Sequence, residues 1–231
     1  VREDLSIDAE ALIAAVRTPA RVLMFSNPMN PVGAMLSSDD LARVCRAAPQ
    51  DTLIVIDEAY YEYVDNPGYP DSLRLLGEVR QPWVVLRTFS KAYGLAGLRV
   101  GYAIASDAAL VSFFDRVRTP FNVNTVAQEA ARVALEDQAH VRASAAHNIA
   151  ERTRVARALD AMGLRAGPSQ ANFLFFDTGR ASAAVFEALL EHGVIVKSWH
   201  QPGFETYVRA GIGSREDNDQ LLQALPATLH R

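Results

Sequence analysis

Leu53-Ile54-Val55-Ile56-Asp57-Glu58-Ala59-Tyr60 is the stretch whose reading decides the fold. Four aliphatic residues in a row, without alternation, read as a strand buried on both faces, the pattern of a parallel sheet. The strand ends in an acid, and an aromatic hydroxyl follows three residues later. In open α/β sheets, ligands bind outside the carboxyl ends of the strands. Asp57 and Tyr60 therefore stand where a site is expected.

Two further strands bring chemistry to the same edge. Trp83-Val84-Val85-Leu86-Arg87 is short, apolar and rich in β-branched and aromatic residues, so it reads as a buried strand. It runs into Thr88-Phe89-Ser90-Lys91, with Arg99 eight residues beyond Lys91. The intervening Gly94-Leu95-Ala96-Gly97-Leu98-Arg99-Val100-Gly101 is a Gly-punctuated loop entering a strand over 100–105. A lysine at a strand end, beside two hydroxyls and near an arginine, can form a Schiff base while its neighbours hold a phosphate. A lone loop lysine is ordinarily just solvated; the second constellation at Asp57 is what changes the reading. A third strand, Arg21-Val22-Leu23-Met24-Phe25-Ser26, leads into Asn27-Pro28-Met29-Asn30-Pro31-Val32-Gly33. The two Asn-Pro dipeptides force a non-helical turn and present Asn30 at the same edge.

Simpler roles remain open for each residue taken alone. Asn30 can be a turn residue, Tyr60 a core tyrosine with a satisfied hydroxyl, and Arg209 a surface strand arginine. Asp57-Glu58 after an aliphatic strand also matches the magnesium-holding end of a nucleotide-hydrolase strand. That reading needs a G-x-x-x-x-G-K-[ST] loop, which the sequence does not contain. Gly94-x-x-Gly97-x-x-x-Gly101 has the wrong spacing for a dinucleotide fingerprint and runs into a strand rather than a helix.

Asn30-Pro31-Val32-Gly33, Asp57-Glu58-Ala59-Tyr60, Ser90-Lys91 and Arg99 together resemble the ordered signature of fold-type I, pyridoxal-phosphate-dependent aminotransferases. The likeness is closest to the histidinol-phosphate aminotransferase group. It extends to Tyr207-Val208-Arg209-Ala210-Gly211-Ile212-Gly213 near the end of the chain. The resemblance implies pyridoxal 5'-phosphate as cofactor and Lys91 as the Schiff-base lysine and proton shuttle. It implies Asp57 as partner of the pyridinium nitrogen, which keeps the ring an electron sink. Asn30 and Tyr60 are implied as hydrogen-bond partners of the phenolic oxygen, and Thr88, Ser90 and Arg99 as phosphate ligands. Arg209 is implied as a bidentate clamp for a substrate carboxylate, and Asn172, in Ser169-Gln170-Ala171-Asn172-Phe173, as a residue near the substrate. The implied partners are a small-molecule amino donor, a 2-oxo acid (2-oxoglutarate) and a second copy of the chain in a homodimer.

Two departures from the family pattern bear on these expectations. Family members are longer, and the part without a counterpart lies upstream of Val1, on the order of a hundred residues, about one domain's worth. It is expected to carry a helix N-terminus for the phosphate, the aromatic residue stacked on the ring and an arm to the partner subunit. In addition, histidinol-phosphate enzymes tend to place a second arginine where Gly193-Val194-Ile195-Val196 here ends in Lys197. Lysine meets a phosphate as a point charge, so the activity is retained as the first expectation. An aromatic amino-acid aminotransferase of the same group is the second, and a non-catalytic truncated fragment acting only by association is the third.

Composition agrees with a soluble cytoplasmic enzyme: 49% of the 231 residues are hydrophobic and 22% charged, ordinary globular usage. A net charge of −4 gives no reason to expect nucleic acid or an anionic membrane as partner. Val1-Arg2-Glu3-Asp4 lacks the apolar region of a signal peptide, and no apolar run approaches the ~18 residues of a membrane span. The single cysteine, Cys45, reads as an inert core thiol. The histidines, His140, His147, His192, His200 and His230, show no metal-ligand spacing.

Periodicity places helices at 7–17 (capped by Ser6 or Asp8), 39–48 (capped by Ser37 or Ser38), 72–79, 107–116, 123–136, about 139–162, 181–192 and 215–229. Strands are expected at 22–26, 53–56, 83–86, 100–105, 173–176, 194–198 and 206–212. The expected fold is α/β: a mainly parallel sheet with helices on both faces in a large cofactor-binding domain over 1–145, incomplete at its N-terminus. A small α+β domain follows over 146–231, with the long helix as connector.

Overall fold

A computed structural model describes residues 1–229. Four strands, β1 (Val22–Ser26), β2 (Leu53–Asp57), β3 (Trp83–Thr88) and β4 (Gly101–Ala105), form one sheet in chain order. β1, β2 and β3 are parallel, and β4 returns antiparallel to β3. The aliphatic run lies in β2, flanked on both sides, and Ile54 and Ile56 are fully buried. They join Val85 in a core closed by α1 (Ala9–Val16), α2 (Ser38–Ala47) and α3 (Ser72–Leu76). The opposite face carries the cross-strand row Met24, Val55, Val84. Toward its β1 edge this face is open: Val22 is 50% and Met24 62% exposed.

Helices α4 (Ala108–Val117), α5 (Thr125–Glu136) and α6 (Gln138–Ala161) follow. Ala127 and Ala131 of α5 pack on Phe89 and Val100, bracing the loop that carries Lys91. A second sheet holds β5 (Phe173–Asp177), β7 (Tyr207–Gly211) and β6 (Lys197–Ser198), antiparallel, with β7 in the middle. Alternation along these strands splits their side chains cleanly. Leu174, Phe176, Val208 and Ala210 pack under α6, α7 (Ser182–Glu191) and α8 (Arg215–Leu229). Phe175 instead packs on Val32 and Ala34 of the loop after β1. The small sheet thus lays one face against the loops of the large one.

Most elements fall where periodicity puts them. Asp8, not Ser6, caps α1, and Ser37 caps α2. The strand expected over 194–198 shrinks to Lys197–Ser198. The amide of Val194 donates to the Leu189 carbonyl at 3.0 Å, so the chain is still closing the end of α7 around Gly193, which has a φ of 74°. The helix expected over 72–79 stops at Leu76, because Glu78 and Val79 turn back onto the carbonyls of Leu75 and Leu76. The position 145/146 falls inside α6. Its first half meets Tyr60, Tyr63 and Phe173, and its last turns enter the core of the small sheet. Among the described residues, no helix is long and apolar enough to cross a membrane and no cluster of three metal-ligating side chains occurs; His230 lies outside them.

Candidate active site

The carboxyl ends of β1, β2 and β3 point to one edge of the parallel sheet. β2 ends at Asp57, whose Oδ1 accepts the Ala59 amide at 3.0 Å. That Asx-type turn fixes the carboxylate and leaves Oδ2 as the acceptor for an incoming donor. β3 ends at Thr88, whose Oγ1 accepts the Ser90 amide at 3.0 Å and so shapes the turn that carries Lys91. Arg99 is left-handed, with a φ of 54°, and its guanidinium donates to the Ala96 carbonyl at 2.6 Å. Asp57, Thr88, Ser90, Lys91 and Arg99 line a recess of about 360 Å³.

A second recess of about 390 Å³ opens on the other side of Lys91, lined by Tyr60, Lys91, Asn172, Lys197 and Arg209. The two sheets meet here. Lys197 lies opposite Arg209 in the β6–β7 register, so both project from the same face. The Arg209 guanidinium lies 5.0 Å from the centroid of the Phe173 ring, and that ring meets Tyr60 edge-on at 5.2 Å. The Lys91 ammonium lies 5.4 Å from the Tyr60 ring centroid. Burial raises the phenol pKa of Tyr60, with Arg209 pulling it down and Asp57 pushing it up. Asn30 reaches the group from β1: its Oδ1 accepts from Arg209 at 2.5 Å, which leaves the amide nitrogen as its donor end.

The loop bearing Asn30 is held by tight contact. Gly33 has a φ of 85°, and a Cβ there would fall 2.2 Å from the Ser169 hydroxyl, so only glycine fits. The Gly33 carbonyl accepts from the Gln170 amide at 2.8 Å, docking the segment before Asn172 onto the segment after Asn30. All ten residues singled out from the sequence therefore fall at one junction. Cys45 does not line either recess; it is fully buried in the core under α2, its thiol pushed up to about 12 by desolvation.

Sequence reasoning gives no role to Glu58 and Arg87. The Glu58 side chain is fully buried; its Oε2 accepts from Nε of Arg87 at 2.9 Å and lies 2.8 Å from Nη2 of the same guanidinium. The only signals in the sequence are an arginine ending an apolar strand and an acid just past another. Their pairing depends on register.

A mixed sheet with a lysine, an acid and hydroxyls at the carboxyl edge of its parallel strands, closed by a small antiparallel sheet bearing an arginine, defines an α/β protein with a lysine-centred site. The model of the aminotransferase class I and II family matches residues 1–225, and the chain belongs to that family. It is 52% identical over 225 residues to histidinol-phosphate aminotransferase 3 of Rhizobium meliloti (strain 1021), covering 97% of this chain and 61% of that protein. It is 44% identical over 218 residues to histidinol-phosphate aminotransferase of Geobacillus thermodenitrificans (strain NG80-2), covering 94% and 59%. The crystal structure of histidinol-phosphate aminotransferase from Sinorhizobium meliloti in complex with pyridoxal-5'-phosphate superposes with a TM-score of 0.88 at 31% identity, covering 99% of this chain and 63% of that one. The chain thus spans about three fifths of the length of the curated relatives it matches.

Proposed function

We propose that the intact protein is a pyridoxal-phosphate-dependent aminotransferase acting between histidinol phosphate and 2-oxoglutarate. The observation that carries this is that Lys91 lines both recesses at once. A single amine reaches a site built for a phosphorylated cation on one side and a site built for an anionic substrate on the other.

The first recess fits pyridoxal phosphate by its donors. Thr88, Ser90 and Arg99 offer two hydroxyls and a guanidinium for a phosphate, and Asp57 offers a carboxylate for a ring N–H. When bound, the cofactor supplies an electrophilic carbon for the amino group and a ring that takes up electron density from the substrate. Lys91 Nζ is the group placed to hold the cofactor and to carry a proton to and from the substrate carbon. Asp57 keeps the ring nitrogen protonated. Asn30 and Tyr60 donate to the phenolic oxygen. In the second recess, Arg209 meets the carboxylate of 2-oxoglutarate with its fork, while Asn172 lines the same space. Histidinol phosphate has no carboxylate, so its phosphate falls to Arg209 and Lys197. The enzyme is read as an isologous homodimer, supported by Phe113, Val117 and Phe121, which are 55%, 78% and 97% exposed.

Lys197→Ala tests the substrate assignment. Losing one charge-assisted phosphate contact should cost about 1.5–3 kcal/mol, on the order of ten- to a hundredfold in kcat/KM for histidinol phosphate. Turnover of phenylalanine or tyrosine should barely change, since neither carries a phosphate. Unchanged histidinol-phosphate kinetics in the variant, or a wild type that prefers phenylalanine, would refute it.

A further inference from the structure

The ends of β1, β2 and β3 each deliver part of the proposed site, and the ladders between these three strands run out at Asp57. The β2–β3 register ends at Asp57 opposite Leu86, followed by one more amide, Glu58 N–H to Leu86 C=O at 2.9 Å. Beyond that point the backbones diverge, β2 into the turn toward Tyr60 and β3 into the turn toward Lys91. The first side-chain link past the ladder is the Glu58–Arg87 ion pair, in which Nε donates to Oε2 and Nη2 closes on the same oxygen. Strand alternation puts this pair on the sheet face opposite Asp57 and Thr88. The Glu58 carboxylate therefore fastens the strand ends from behind, while Arg87, its partner, also borders the recess in front.

The fastening reaches the third strand. Tyr69 donates to the backbone carbonyl of Asn27 at 2.6 Å and lies 3.5 Å from Glu58 Oε1. Asn27 is the residue just after β1, where the turn to Asn30 begins, and its backbone amide donates to the Asp57 carbonyl at 2.9 Å. On the outer side, the Arg87 guanidinium lies 4.1 Å from the Tyr61 ring centroid. A carboxylate with no exposed surface is a poor way to stabilise a fold, because a well-packed apolar pair commonly does as well or better. What such a pair adds is geometry: a planar fork on a carboxylate fixes distance and angle together.

We propose that Glu58, Arg87 and Tyr69 are positioning residues that set the spacing of the three strand ends carrying Asn30, Asp57 and Thr88, and so the grip on the cofactor. The proposal rests on the reading of the first recess as a pyridoxal-phosphate site. The decisive variant is Glu58→Met with Arg87→Met in the intact protein, which replaces the buried pair by an apolar one. It should melt at or above the wild-type temperature. It should bind pyridoxal phosphate at least tenfold more weakly. The pH midpoint of the bound cofactor's visible band should move upward, because the donors of Asn30 and Tyr60 are no longer held in place. Arg87→Lys, which keeps the charge and loses the fork, should show the same two changes at smaller size, on the order of threefold in affinity. A double variant that folds, with wild-type affinity and an unmoved midpoint, would overturn the proposal. Should the double variant not fold, wild-type affinity and midpoint in Arg87→Lys would overturn it equally. A wild type that takes up no pyridoxal phosphate would instead remove the parent reading, and this one with it.

Discussion

At the residue scale, Asp57 shows how little local chemistry is needed once the backbone is placed. Its carboxylate is fixed by one amide of its own turn, and it faces the recess because the strand delivers it there. Its proposed task is to be a charge partner, not a base. Asp57→Asn keeps the shape and the turn acceptor but cannot hold a ring nitrogen protonated. The variant should fold and still bind cofactor, yet lose several orders of magnitude in kcat. Near-normal turnover would refute the role. Arg209 is the other informative residue. Its contact with Asn30 joins positions 179 residues apart, so no local pattern can announce it. Its part in the site was legible only because the family resemblance marked the position.

At the element scale, β2 and β3 were legible because burial on both faces leaves a compositional trace: unbroken aliphatic and aromatic runs ending in polar residues. The last strand before β7 was not. Val194, Ile195 and Val196 have strand propensity, yet the Val194 amide serves the end of α7, and Ile195 is 77% exposed. Tertiary context overrides propensity there. The Glu58–Arg87 pair was likewise illegible, since it exists only through the β2–β3 register. The 3-10 turn Tyr61–Tyr63, just after Tyr60, carries a prediction of its own. Burial pushes the Glu62 carboxyl up to about 7, with Arg87 opposing and Glu58 adding to the shift. Its Oε2 has no hydrogen-bond partner among the described residues. The folded protein therefore holds this proton more tightly than the unfolded chain, where a glutamate titrates at about 4.3. Stability contributed by the neutral carboxyl is full below roughly pH 4.5 and is lost as the pH rises through about 7. Glu62→Gln should raise the unfolding free energy by about 1–3 kcal/mol at pH 8 and leave it unchanged near pH 4. Urea titrations at the two pH values check this, and an equal effect at both would contradict it.

At the scale of the whole molecule, two sheets meet at one lysine. The large sheet supplies the proposed cofactor recess, the small one the arginine and lysine of the proposed substrate recess, and α6 packs against the small sheet and the segments that follow β2 and β3. The outer surface is less self-sufficient. No residue of α4 is buried, and Val111, Phe113, Phe114 and Val117 lie open on it. Sedimentation of the intact protein should therefore give a dimer that persists at low micromolar concentration; a stable monomer would count against the homodimer. The central claim, that Lys91 is the amine shared by both recesses, is tested most directly by chemistry. The intact protein should be loaded with pyridoxal phosphate, reduced with borohydride, digested and mapped by mass spectrometry. The account predicts a single pyridoxyl group on Lys91 and none on Lys197. An adduct on any other lysine, or no adduct at all, would contradict it.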